Sequence, residues 1–85
     1  MKARIFVTLR PGVLDPQGQA IEGALAALGF AGVASVRQGK MFDIELDDAA
    51  LTDAADGKAR LEAMCEKLLA NTVIEDYRVE IEATA

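Results

Sequence analysis

The stretch VASVRQGKMFDIELD, residues 33–47, decides how many strands the chain makes. Phe42, Ile44 and Leu46 alternate with Asp43 and Glu45, the period of a half-buried strand. Val33 and Val36 serve an earlier strand, and Gly39 marks the turn between the two. Arg37 and Lys40 flank that glycine, so the turn carries cations that are either solvated or offered to an anion or a protein partner. The lone Gly-Lys pair lacks the rest of a phosphate-loop pattern and supports no nucleotide site.

Upstream, KARIFVTL (2–9) alternates strictly, with Ala3, Ile5, Val7 and Leu9 on one face and Lys2, Arg4, Phe6 and Thr8 on the other. Arg10, Pro11 and Gly12 break that strand. Asp15 and Pro16 then start a helix, one as the side-chain acceptor at the N-cap and the other as a first residue that needs no N–H. Gly18 in the first turn is costly, about 1 kcal/mol relative to alanine, and admits the close approach of another backbone. Ile21, Ala24, Leu25 and Leu28 form an apolar stripe, with Gly29 at the helix end and Phe30 beyond it.

Downstream, residues 48–58 are small, polar and acidic, the least ordered part by composition. A second helix follows, with Leu61, Met64, Cys65, Leu68 and Leu69 as its buried stripe and Asn71 at its end. The last strand, YRVEIE (77–82), sets Tyr77, Val79 and Ile81 against Arg78, Glu80 and Glu82.

The order β-α-β-β-α-β predicts a single α+β domain over residues 1–85, a ferredoxin-like two-layer plait with a four-stranded antiparallel sheet and both helices on one face. The other face is left open. Arg4, Phe6 and Thr8 lie at its centre, and an aromatic there points to self-association through the sheet.

Composition removes most chemistry. The chain has no histidine, no tryptophan and one cysteine, which excludes the usual Cys/His zinc sites, His-based acid–base catalysis and Cys-His or Ser-His-Asp nucleophiles. No catalytic and no metal-binding residue is expected. Cys65 falls on an apolar stripe and reads as a small core residue. Glu45, Asp47 and Asp48 lack the spacing and glycine of a calcium loop. The formal net charge of −5 opposes binding to nucleic acid, and an RNA-reading plait would need a basic face with more aromatics. No apolar run is long enough for a membrane span, no signal-peptide pattern opens the chain, and a lone cysteine suits a reducing compartment, so a cytoplasmic location is expected.

VLDPQGQAI (13–21), ALAALGF (24–30), VRQGK (36–40), FDIEL (42–46) and KLLANTVIEDYRVE (67–80) together resemble the PurS family in order, spacing and total length. That family is the small subunit of bacterial and archaeal phosphoribosylformylglycinamidine (FGAM) synthase, in de novo purine synthesis. Thr72 departs from it, standing where the family has proline. The resemblance implies a subunit with no active site or cofactor of its own, either a homodimer or a tetramer. It would bridge a PurL-type catalytic subunit, which uses ATP and Mg, and a PurQ-type glutaminase subunit, and would support ammonia transfer. The motif positions expected to contact those subunits are Asp15, Pro16, Gln17, Gly18, Arg37, Gly39, Lys40 and Asn71. A different reading of the same element order is an ACT-like regulatory domain that binds a small molecule.

Overall fold

The computed structural model describes residues 1–82. Strand β1 (Lys2–Leu9) lies between β2 (Lys40–Glu45) and β3 (Glu75–Glu82), antiparallel to both. The register sets Ile5 opposite Phe42 on one side and Val79 on the other. The alternation of β1 therefore places Ala3, Ile5 and Val7 on one sheet face, where all three are buried. Helix α2 (Ala54–Met64) covers that face, contributing Leu61 and, just beyond its end, Cys65. Ile5, Val7 and Leu61 each contribute about 1.5–3 kcal/mol by leaving water, the main source of stability in so small a core.

The acidic stretch before α2 is ordered by its own carboxylates. Asp47 caps a short 3₁₀ turn at Asp48–Ala50. Asp53 accepts from the Asp56 amide at 2.8 Å while Asp56 accepts from the Thr52 amide at 3.1 Å, a reciprocal cap that starts the helix. Among the described residues no helix is long and apolar enough to cross a membrane.

The expected four-stranded sheet is corrected: among the described residues the sheet has three strands, and residues 33–39 form none. The backbone amides a strand would give to β2 are taken by side chains instead. Val36 donates to the Glu22 carboxylate at 2.5 Å, and Gln38 donates to Asp15 at 2.9 Å. This local capture competes directly with ladder formation. The segment is an arm running back along α1 (Pro16–Ala27), with Gly29 and Gly32 at φ +90° and +88° where it turns.

The expectation of two helices on one sheet face is corrected as well. Among the described residues α2 and the turn that follows it cover the sheet, and α1 makes no extended packing contact with the sheet or with α2. Its stripe stays in water, with Ile21 38% and Leu28 73% exposed. The radius of gyration is 16.6 Å, whereas a compact chain of this length has one of about 12 Å.

Two details at helix ends differ in outcome. Gly29 closes α1 as the sequence predicts: Gly29 donates to Ala26 and Phe30 to Leu25, the paired bonds of a left-handed helix stop, although Phe30 itself stays exposed. The predicted stripe of the second helix holds only as far as Cys65. Residues Cys65–Leu69 form a π turn, closed by the Ala70 amide on the Cys65 carbonyl, and the wider turn rotates Leu68 out to 82% exposure.

Candidate functional site

Asp15 organises the corner where β1 passes into α1. It is the N-cap of α1 with Pro16 at the first turn, and one carboxylate oxygen accepts from Gly18 at 2.8 Å. The other oxygen holds the Gln38 amide, so one side chain both starts the helix and pins the arm. The Gly18 and Gln38 amides, aided by the nearby Arg37 charge, hold the Asp15 carboxyl below its usual range.

Gly18 is buried, and the backbone it admits belongs to the same chain. A Cβ there would stand 2.2 Å from the Val36 carbonyl oxygen. Gly39 answers the same need at the other end of the arm, where a Cβ would lie 2.6 Å from the Val7 carbonyl oxygen. It marks a crossing over β1 and not the hairpin turn that the sequence suggests.

Arg37 reaches across the arm to the loop after β1. Its guanidinium donates to the carbonyls of Leu9 at 2.8 Å, Arg10 at 3.0 Å and Val13 at 3.4 Å. Arg10 continues the chain of contacts: its side chain donates to the Thr72 carbonyl and pairs with Asp76 at 3.4 Å, and its amide donates to Ile74. Lys40 lies 4.0 Å from Glu75, whose carboxylate accepts from the Asn71 amide at 2.7 Å. Asn71 opens the turn into β3, its side chain accepting from Val73 and its carbonyl from Ile74 and Glu75. The left-handed helix end expected of it is absent, since no non-glycine residue among those described has positive φ.

The eight motif positions thus converge on one corner, built from three distant parts of the chain. Asp15, Gly18, Arg37 and Gly39 hold it together. Pro16, Gln17, Lys40 and Asn71 are exposed on its surface. An open cavity of about 310 Å³ lies between the loop after β1 and the arm, lined by Asp15 and Arg37 and by none of those four. Arg10 and Glu75 belong to this corner and escape sequence reasoning, Arg10 because it acts on chain-distant carbonyls and Glu75 because its partner Lys40 is brought to it only by the fold.

Arg4, Phe6 and Thr8 lie elsewhere, on the sheet face away from α2. Phe6 is half-buried between Met41 and Arg78, and the Arg78 guanidinium carbon sits 4.6 Å from the ring centroid. Arg4 pairs with Asp43 at 3.1 Å, so the ring is framed by charge. Cys65 is fully buried, and burial with Glu66 nearby pushes its thiol up, which keeps it protonated.

The family model for PurS, described as phosphoribosylformylglycinamidine (FGAM) synthase, matches residues 2–83. This chain belongs to the PurS family. The PurS subunit of Synechocystis sp. is 50% identical over 80 residues, 94% of this chain and 77% of that one. The crystal structure of Methanocaldococcus jannaschii PurS has a TM-score of 0.85 at 40% identity, covering 99% of this chain and 98% of that one. A chain in the structure of PurLQS from Thermotoga maritima has a TM-score of 0.83 at 32% identity, covering 93% of each. PurS membership takes the place of the ACT-like reading. The contact from Arg10 to Thr72 uses the backbone carbonyl, so it does not depend on the side chain at that position.

Proposed function

We propose that this chain is the non-catalytic small subunit of an FGAM synthase acting in the cytoplasm. It bridges a PurL-type catalytic subunit and a PurQ-type glutaminase subunit. In such a complex the glutaminase releases ammonia from glutamine, and the catalytic subunit, with ATP and Mg, uses it to convert formylglycinamide ribonucleotide to the amidine. The chain itself brings no catalytic group and no cofactor.

The observation that carries this reading is the convergence of the PurS motif residues on one rigid corner. Four of them tie the chain to itself, and Pro16, Gln17, Lys40 and Asn71 are the exposed groups offered to a partner. A surface fixed by side-chain–backbone bonds loses little entropy on docking, which suits an assembly role. The chain self-associates as a homodimer or tetramer, and the face bearing Arg4, Phe6 and Thr8 is one surface for it. The four-stranded plait is then a property of the assembly, with residues 33–37 adding an edge strand to a neighbouring sheet.

The test is reconstitution. This chain is mixed with PurL-type and PurQ-type subunits, nucleotide and glutamine, and the complex is followed by light scattering after size exclusion. A three-component peak, with glutamine-dependent amidine synthesis that fails when the chain is omitted, supports the proposal. Lys40→Glu with Gln17→Ala is expected to leave the circular dichroism unchanged and to weaken co-elution. Full activity without the chain overturns it.

A further inference from the structure

Residues 71–75, between the π turn and the body of β3, hold an apolar tip in water. Val73 is 80% exposed there and Ile74 39%. A single exposed valine is ordinary; this one differs in how firmly it is held. The Asn71 amide donates to the Glu75 carboxylate at 2.7 Å, and the Asn71 carbonyl accepts from Ile74 at 3.0 Å and Glu75 at 2.8 Å. The side-chain oxygen of Asn71 accepts from the Val73 amide at 3.2 Å. From far along the chain, Arg10 donates its guanidinium to the Thr72 carbonyl and its amide to the Ile74 carbonyl at 2.8 Å. The shape of the turn is therefore set before anything docks on it.

Charge marks the same end of the molecule. Arg10, Arg37 and Lys40 stand there with Asp15, Glu75 and Asp76, so the corner is balanced and the net charge of −5 lies on the rest of the chain. The cores of protein interfaces are likewise poor in uncompensated charge. We infer that Val73 is the anchor this chain inserts into an apolar, uncharged socket on a partner subunit, with the Asn71 side-chain nitrogen donating to a carbonyl at the socket's rim. This rests on the bridging role proposed above and names the side chain that makes the contact. Valine has one side-chain torsion and the turn is already fixed, so docking costs little freedom. Arg10 joins the turn to the loop after β1, which makes Val73 part of the same surface as the exposed Pro16 and Gln17.

The experiment titrates the chain into its complex. Val73→Asp, Val73→Ala and the unsubstituted full-length chain are added in rising amounts to PurL-type and PurQ-type subunits with formylglycinamide ribonucleotide, ATP, Mg and glutamine. The readout is the chain concentration that gives half-maximal amidine synthesis. Val73→Asp is expected to raise it at least tenfold, with Val73→Ala between the two. Circular dichroism and light-scattering mass of the chain alone are expected to stay as they are, since Val73 is exposed. A half-maximal concentration unmoved by Val73→Asp overturns the inference. So does a fall in the mass of the chain alone, which places Val73 between copies, or a loss of circular dichroism, which makes it a folding residue. Synthesis that needs no added chain overturns the bridging role itself.

Discussion

Gly18 and Val36 meet backbone to backbone: a Cβ on Gly18 would stand 2.2 Å from the Val36 carbonyl oxygen, well inside contact distance. Alanine at 18 improves helix propensity by about 1 kcal/mol, yet it must push the arm off the helix. Overpacking of this kind costs about 1–3 kcal/mol, so Gly18→Ala is expected to be net destabilising, with a lower urea midpoint. An unchanged or raised midpoint would show that the arm does not lie against α1.

Asp15 ties this corner to pH. Its carboxyl titrates below the usual range because the charged form accepts the Gly18 and Gln38 amides. A depressed folded-state value contributes stability that is complete above the unfolded value, near pH 4, and is lost as pH falls through the lower folded one. Asp15→Asn is therefore expected to be less stable at neutral pH and to lose less on acidification below about pH 4. Thermal melts from pH 7 to pH 2 read the difference, and parallel curves for the two proteins would count against it.

Arg37 caps three carbonyls with one planar fork. Lysine has a single point charge and cannot reach all three. Arg37→Lys and Arg37→Ala are both expected to cost about 1 kcal/mol, since the group is exposed. Urea melts check this, and rescue by lysine would show that charge alone matters.

Tyr77 is the only tyrosine, so its ionisation is read directly from near-ultraviolet absorbance. Its hydroxyl donates to Glu66 at 2.8 Å, which ties β3 to the π turn, and that bond to a carboxylate pushes its pKa up to about 12. A raised folded-state value contributes stability that is present below the unfolded value near 10 and is lost as pH rises toward 12. Glu66→Gln is expected to bring the midpoint back toward 10. A midpoint near 10 in the unsubstituted protein would mean the hydroxyl bond is absent.

The parts legible in sequence are those fixed locally. Alternation places β1, β2 and β3, Asp15-Pro16 starts α1, and Gly29 ends it. The arm was not legible, because its amides are captured by Glu22 and Asp15, whose reach depends on a helix position that no window of residues 33–39 contains. Leu68 escaped for a different reason: a π turn inserts one residue into the helical period, and the apolar pattern around it is the same with or without that insertion. At the corner, the types and spacing of Asp15, Gly18, Arg37 and Gly39 singled them out, but their work proved to be holding their own chain together. Glycine in a costly position reports a close approach without saying to whom.

β1 pairs with both other strands, and its partner on one side reaches residue 82. A sheet of this order is dominated by contacts between strands far apart in the sequence, which makes closure slow. Synthesis runs from β1 toward β3, so the central strand is made first and waits with one edge bare until its last neighbour exists. The interval before β3 arrives is when β1, with Ile5 and Val7 uncovered, is most open to pairing with the wrong strand.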